Sequence, residues 1–166
     1  MKALLYLLAF VFTSPLIAQN AEELELERKD CTLRGTLTTS SDSIKSRTLI
    51  MIIAGSGPTD RDGNNANMKN NALKMLSDKL VENGYATFRY DKRSIGASKM
   101  PLSFDQKDLS FDDFIADADA LVSKLSSTKR FDKIILTGHS QGSLVALCVA
   151  NKNQKVDAVI SLAGAG

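Results

Sequence analysis

The stretch "KIILTGHSQGSLVALCVANK", from Lys133 to Lys152, constrains the fold of this chain more than any other. Its first part is a β-branched, apolar run typical of a strand, and its last part has the apolar spacing of a helix. A serine between two glycines, Gly138 and Gly142, joins the two parts. So sharp a turn crowds the backbone, and glycines are needed where a Cβ atom would clash. The pattern therefore predicts a strand, a tight turn with Ser140 at its tip, and a helix that begins there.

Strands and helices alternate along the chain from residue 48 onward. The runs 48–54, 85–91 and 156–166 read as further strands, and helical patterns separate them. Residues 22–47 instead alternate in character and are rich in Thr and Ser, which is typical of a hairpin or meander. We therefore predict an α/β fold, with a mostly parallel sheet, helices on both faces and an N-terminal antiparallel meander.

The second predicted helix has the clearest start. Ser110 is a suitable N-cap, and acidic residues follow it in the early turns, where the helix dipole favours them. The predicted buried stripe consists of Phe111, Phe114, Ile115, Ala118, Leu121, Val122 and Leu125.

The first 18 residues have the order of a secretory signal peptide. Lys2 supplies the charged start, an apolar run extends from Ala3 to Phe12, and Ala18 is a small residue for cleavage. The apolar run is too short to span a bilayer comfortably. We therefore expect export to the periplasm or beyond, with Gln19 at the mature N-terminus. An uncleaved N-terminal anchor is the alternative.

After the leader, the chain has the composition of a soluble protein without a further membrane span, and we expect residues 22–166 to be the N-terminal part of a single domain. The chain is 43% hydrophobic and 24% charged, and 21 basic against 19 acidic side chains leave a formal charge of +2. That balance gives no reason to expect nucleic acid or an anionic membrane as a partner. Cys31 and Cys148 could form a disulfide in an exported protein. Because free cysteine is a common buried residue, we favour two unpaired core thiols.

Ser140 has the surroundings of a nucleophile. In the pattern Gly-x-Ser-x-Gly, the serine hydroxyl stands exposed above the end of a sheet. The N–H of Gln141 and the positive end of the helix then face the place where an oxyanion would form. A second donor should come from the loop after an earlier strand, where Gly55-Ser56-Gly57 lies. A tight turn that merely holds a serine is the alternative.

The loop "GSGPTDRDGN" lacks the features of a cofactor or metal site. A dinucleotide-binding loop would need its third glycine at Asp60, and an EF-hand loop would need glutamate at Asn71. We therefore expect no cofactor and no metal ion. We interpret Asp60-Arg61-Asp62 as a charged turn held by its own ion pairs.

Three segments in this order resemble the α/β-hydrolase superfamily, and in particular its exported bacterial esterase-like and serine-aminopeptidase-like members. "GSGPTDRDGN" is similar to the family's loop after the third strand, "RYDKRSIGAS" to its segment after the fourth, and "LTGHSQG" to its elbow after the fifth. The resemblance covers about Leu24 to Gly166, and Ser94 stands where the pattern usually has glycine. It implies that Ser140 is the nucleophile and that the backbone N–H groups of Ser56 and Gln141 form the oxyanion hole.

The resemblance also implies a reaction and a role for nearby residues. The activity would be that of a serine hydrolase acting on a small acyl ester or peptide-like substrate. A carboxylesterase is favoured, with an aminopeptidase or a thioesterase as the alternative. Asp91, Arg93 and Gly96 would shape the loop beside the site, and we interpret the charges as a buried salt bridge that orders the turn.

The family's catalytic acid and histidine should follow the serine in the chain. After Ser140 the sequence has one acidic residue, Asp157, on the wrong edge of the predicted sheet, and no histidine. His139 lies within the turn, and we expect its side chain to leave in a different direction from that of Ser140. We therefore expect a chain that stops before the last strands of the fold and is inactive by itself. A complete protein that kept the fold as a non-catalytic binding module is the alternative.

Overall fold

A six-stranded β-sheet forms the centre of the structure, a computed structural model that describes residues 19–40 and 47–164. Its strands are β1 (Gln19–Glu27), β2 (Thr32–Ser40), β3 (Thr48–Ile53), β4 (Ala86–Tyr90), β5 (Lys133–His139) and β6 (Ala158–Leu162). They lie in the order β1-β2-β4-β3-β5-β6. β2 is antiparallel to both β1 and β4, and the other neighbours are parallel. This order confirms the predicted N-terminal meander and mostly parallel sheet.

Helices cover both faces of the sheet, as predicted. α1 (Ala72–Glu82) packs on one face, whereas α2 (Phe111–Ser127) and α3 (Gln141–Lys152) pack side by side on the other. A short 3-10 helix, Gln106–Asp108, precedes α2. The C-terminal ends of β3, β4 and β5 therefore meet at one edge of the sheet, where the loops of an α/β protein bind ligands.

β3 explains why its sequence is a continuous apolar run. Leu49, Met51 and Ile53 belong to the core beneath α2 and α3, whereas Ile50 and Ile52 belong to the core beneath α1. None of the five is more than 3% exposed. Successive side chains of a strand point to opposite faces, so a strand that is covered on both sides must be apolar throughout.

α2 begins at the predicted cap. The Ser110 side chain accepts a hydrogen bond from the N–H of Asp113, and the Asp113 carboxylate accepts one from the N–H of Ser110, which together form a capping box. Phe111 is 37% exposed, so its predicted burial is wrong: it is the first helical residue, ahead of those that pack on the sheet. The rest of the stripe is confirmed, with Phe114 half-buried and Ile115, Ala118, Leu121, Val122 and Leu125 buried.

Both cysteines are unpaired, as expected. Cys31 is buried and Cys148 is half-buried on α3. Burial raises the pKa of the Cys31 thiol to about 11, so its thiolate, the reactive form of cysteine, is scarce at neutral pH.

The predicted leader, residues 1–18, lies outside the described residues. Within residues 19–40 and 47–164, no helix has both the length and the apolar character needed to cross a bilayer. Export therefore stays a prediction.

Candidate active site

Ser140 stands at the tip of the turn that joins β5 to α3. Its backbone has a φ of 52° and a ψ of −121°, a conformation that residues with a Cβ atom rarely adopt. Two hydrogen bonds of 2.9 Å hold it there: its N–H donates to the Leu162 carbonyl, and its carbonyl accepts from the N–H of Ser143. Gln141 is the first residue of α3. The predicted strand, turn and helix are confirmed.

The two glycines that flank Ser140 allow close backbone contacts. A Cβ atom on Gly138 would lie 2.2 Å from the carbonyl oxygen of Gly142. One on Gly142 would lie 2.4 Å from the carbonyl oxygen of Ile53, the last residue of β3. The turn is therefore folded tightly on itself and pressed against the neighbouring strand. This confirms the prediction that the turn needs glycines because a Cβ atom would clash with the backbone.

The segment Gly55–Gly57, which we call the β3 loop, passes directly beside Ser140. A Cβ atom on Gly55 would lie 3.3 Å from the Cβ of Ser140 and 3.1 Å from Nδ1 of His139. The middle residue, Ser56, is exposed, and Gly57 has a φ of 77°. The structure thus brings together the β3 loop, Ser140 and the first residue of α3, as the sequence predicted.

Lys92, which the sequence analysis did not single out, lies against the β3 loop. It is only 6% exposed, and its Nζ donates to the carbonyl oxygens of Gly55 and Gly57. The centre of the Phe114 ring lies 5.9 Å from Nζ, within the range of a cation–π interaction. Burial lowers the pKa of Lys92. The only signal in the sequence was a lysine directly after a strand, and lysine is almost always exposed.

Two pockets open beside the β3 loop, and Ser56 lines both of them. The first, which we call the Phe114 pocket, has a volume of about 400 Å³ and reaches Gln141. The second, which we call the Met68 pocket, has a volume of about 260 Å³ and reaches Ser140 and His139. The Met68 pocket therefore gives access to Ser140, and the Phe114 pocket gives access to the neighbouring Gln141.

Asp91, the residue after β4, ties two loops to the sheet. Its buried carboxylate accepts hydrogen bonds from the N–H of Arg61 (2.7 Å), from Arg61 Nε (3.0 Å) and from the N–H of Ala97 (2.8 Å). Gly96 has a φ of 54°, and a Cβ atom there would lie 2.4 Å from Oδ2 of Asp91. The predicted role of Gly96 in shaping this loop follows from that contact.

The turn Asp60-Arg61-Asp62 is not held by its own ion pairs, so that interpretation is wrong. Arg61 pairs with Asp91 and Glu23, and Asp62 pairs with Arg89. Asp60 accepts hydrogen bonds from the N–H groups of Asp62 and Asn64. The buried charges of Asp91 and Arg89 are the better partners because burial reduces screening. In the described part of the chain, no group of three or more His, Cys, Asp or Glu side chains could hold a metal ion.

Arg93 forms a buried ion pair with Asp117 of α2. Its Nε and Nη2 donate to the carboxylate over 2.6 and 2.8 Å, and the two side chains are 4% and 2% exposed. Arg93 also contacts Asp30. Buried salt bridges therefore order this turn, as interpreted from the sequence, although Asp91 and Arg93 pair with other elements rather than with each other.

Ser94 shows why the resemblance has glycine at this position. Its φ is 63°, in the left-handed region that glycine adopts without cost. Its Oγ is buried and has no hydrogen-bond partner among the described residues. The serine adopts this conformation, and the residue lines the Phe114 pocket.

His139 and Asp157 lie at opposite ends of β5. His139 is the last residue of that strand and is exposed. The Asp157 carboxylate accepts a hydrogen bond from the N–H of Ile134, near the start of the same strand (2.8 Å). The expectation that Asp157 lies on the wrong edge is confirmed. His139 is the only histidine of the 166 residues, so no second histidine of this sequence can reach Ser140.

Comparison with models of known protein families gives a match over most of the chain. The profile of the family described as serine aminopeptidase, S33, matches residues 66–166, which is more than half of the chain. That region includes β4, the Asp91–Gly96 turn and the Ser140 elbow. Comparison with curated proteins gives no match.

Solved structures with the same fold include three hydrolases. The α/β-hydrolase GrgF from Penicillium sp. sh18 is 23% identical, with a TM-score of 0.70 over 87% of this chain and 46% of its own. Est1E from Butyrivibrio proteoclasticus, solved with ferulic acid bound, is 22% identical, with a TM-score of 0.68 over 85% and 52%. The esterase Pf2001 from Pyrococcus furiosus is 18% identical, with a TM-score of 0.65 over 84% and 49%. The chain spans about half the length of these structures.

Replacing Gly138 with alanine should disrupt the turn that holds Ser140. The new Cβ would lie 2.2 Å from the carbonyl oxygen of Gly142 and 2.4 Å from the nitrogen of Ser143, and these backbone atoms cannot move without unwinding the start of α3. We expect urea denaturation of the full-length protein to show a loss of more than about 3 kcal/mol. In the control Gly84→Ala the new Cβ meets nothing within 4 Å, although φ is 89°, so it should cost only about 1–2 kcal/mol. Equal losses in the two variants would contradict the tight-turn account.

Proposed function

The chain belongs to the serine aminopeptidase S33 family of the α/β-hydrolase superfamily, and from this we propose that the protein is a serine hydrolase that transfers an acyl group from a small ester to water. The observation that carries the proposal is the left-handed backbone of Ser140, held beside the β3 loop. Backbone strain of this kind persists only where the surrounding structure enforces it, and it concentrates at functional sites.

In the proposed reaction, Ser140 Oγ attacks the carbonyl carbon of the ester. The carbonyl oxygen becomes an oxyanion, to which the N–H groups of Gln141 and Ser56 donate hydrogen bonds. The first N–H groups of a helix have no partner within the helix, so that of Gln141 is available, and the dipole of α3 adds partial positive charge. The C–O bond to the alcohol then breaks, and the alcohol leaves with the proton that a base has taken from the Ser140 hydroxyl. Water hydrolyses the acyl group from Ser140, which releases the carboxylic acid and restores the hydroxyl.

The proposed reaction needs a base, because a serine hydroxyl is a weak nucleophile until its proton is removed. In this superfamily the acid and the histidine follow the serine in the chain. We propose that both come from residues of the full-length protein outside these 166. The length of the solved structures, about twice the matched region, supports this proposal.

The linings of the two pockets favour an ester substrate over a peptide with a protonated N-terminal amine. An aminopeptidase binds a protonated amine, whose strongest partner is a carboxylate. Among the described residues, neither the Phe114 pocket nor the Met68 pocket is lined by Asp or Glu, whereas Lys92 and Arg93 border the former. Aminopeptidase activity is the second candidate because of the family description, and it would require a carboxylate from elsewhere in the protein. A thioester is a further candidate acyl donor.

The Phe114 pocket is the proposed site of a short acyl chain. Pro58, Ile95, Leu109 and Phe114 give it apolar walls, and its volume of about 400 Å³ is at the small end of the range of ligand pockets.

Ser140 should react covalently with a fluorophosphonate probe in the full-length protein. Ser140→Ala should abolish the labelling and lower kcat for p-nitrophenyl butyrate by roughly 10⁴- to 10⁶-fold, because the nucleophile is lost. Ser103→Ala, in an exposed loop, is the matched control and should be labelled like the wild type. Labelling that survives in Ser140→Ala would overturn the assignment, and a wild type that is never labelled would favour a non-catalytic binding module.

Residues 19–166 alone should not hydrolyse the same ester. Without an acid and a histidine, their turnover should equal that of the same segment carrying Ser140→Ala, because the Ser140 hydroxyl is a weak nucleophile without a base. Any residual rate from the oxyanion donors does not need the serine, so both segments should share it. A soluble segment with a turnover of about 1 s⁻¹, lost in the variant, would mean that a base lies within these residues. The interpretation of His139 and Asp157 would then be wrong.

A further inference from the structure

We propose that Lys92 is a positioning residue of the oxyanion hole, which orients and polarises the peptide group whose N–H belongs to Ser56. This inference rests on the proposed function, because it assumes that an oxyanion forms at Ser140. Lys92 touches no reacting atom and keeps its proton throughout the reaction. It acts through the β3 loop.

The direction of the Ser56 N–H follows from the contact of Lys92 with Gly55. The Gly55 carbonyl and the Ser56 N–H belong to the same peptide group. No described peptide bond is cis, and in a trans peptide the C=O and N–H bonds point in opposite directions. Since Lys92 Nζ binds the carbonyl from the buried side, the N–H points to the other side. Ser56 shares the Met68 pocket with Ser140, and Lys92 does not line that pocket, so this is the space that the N–H can face.

The second contact of Lys92 fixes the other end of the loop. Its Nζ donates to the Gly57 carbonyl over 2.9 Å. That carbonyl is joined to Pro58, which has no N–H, so the contact serves as an anchor and presents no donor. The two bonded carbonyls lie on either side of Ser56, and the left-handed φ of Gly57 lets both face the same ammonium group. Lys92 therefore holds the backbone on both sides of Ser56.

The burial of a charge at this place points to a functional use. An ammonium group that leaves water needs compensation, and no carboxylate among the described residues pairs with Lys92, whose pKa is lowered by burial alone. Only two carbonyl oxygens and the Phe114 ring provide compensation. An apolar side chain of the same length would fill the space without that cost.

The same charge would stabilise the oxyanion electrostatically. A hydrogen bond to the carbonyl of a peptide group polarises that group, so its N–H becomes a better donor. The positive charge also lies against the Gly55 carbonyl of that peptide group, and the interior does little to screen it. Both effects grow as negative charge develops on the substrate oxygen. Lys92 should therefore act on the transition state more than on substrate binding.

The test uses Lys92→Met in the full-length protein, because methionine keeps the length of the side chain and removes its charge. We expect kcat for p-nitrophenyl butyrate to fall about 10²-fold, the lower end of the effect of losing one oxyanion donor, with KM within about threefold. Butylboronic acid forms a tetrahedral adduct on the serine, and its dissociation constant should rise by the same factor by which kcat falls. That of butyl p-nitrophenyl ether, which has no oxyanion, should not change. Lys99 is exposed and, like Lys92, lies in the segment that follows β4. Lys99→Met is the control, and its kcat and both dissociation constants should match those of the wild type.

Three outcomes separate the possibilities. Equal weakening of boronic acid and ether binding would mean that Lys92 only supports the pocket, and an unchanged kcat would mean that it has no role; either result overturns the proposal. If Ser140→Ala also stays active, the proposed function itself has failed. If Ser140→Ala is inactive while Lys92→Met is fully active, only the role of Lys92 has failed.

A second variant covers the case in which Lys92→Met does not fold. Lys92→Gln keeps an amide donor for one carbonyl without the charge. Its affinity for butylboronic acid should fall about tenfold, which is less than the loss expected for a missing donor, and its affinity for the ether should be unchanged. Because dissociation constants are measured on the folded molecules alone, a partly unfolded sample does not alter this comparison. Equal affinity of Lys92→Gln and the wild type for the boronic acid would overturn the proposal.

Discussion

The contact between the Ser140 turn and the end of β3 is the constraint on which the rest of the site depends. A Cβ atom on Gly142 would lie 2.4 Å from the carbonyl oxygen of Ile53, so only glycine lets the two backbones approach so closely. Because β3 is the neighbour of β5 in the sheet, the loop that follows β3 must then leave the sheet beside Ser140. The same contact thus creates the strained turn and delivers the β3 loop to it.

The turn after β4 holds the surrounding loops with three consecutive buried charges, each with a different partner. Asp91 binds Arg61 and so fixes the chain that follows the β3 loop. Lys92 binds the two carbonyls of the β3 loop itself, and Arg93 binds Asp117 on α2. Buried charges are costly unless they are paired or hydrogen-bonded. These three contacts therefore favour a single arrangement of the loops around Ser140.

Local patterns predicted what depends on local chemistry. The apolar run of β3, the Ser110 cap and the glycines of the Ser140 turn were predictable because each reflects a requirement of its own backbone. Lys92 was not, because its role depends on two carbonyls that lie far away in the sequence. The partners of Asp60-Arg61-Asp62 were missed for the same reason, since buried charges on other elements outcompete neighbours in the turn. The order of the strands follows from long-range pairing, which a local pattern does not show.

The most direct test of the account is a crystal structure of the full-length protein with a phosphonate bound covalently to Ser140. The phosphonyl oxygen stands in for the oxyanion of the tetrahedral intermediate. The account predicts that this oxygen lies about 2.7–3.1 Å from the backbone nitrogens of both Ser56 and Gln141, with Lys92 still bound to the Gly55 carbonyl. A phosphonyl oxygen that points away from these two nitrogens, or a probe attached to a different residue, would contradict it.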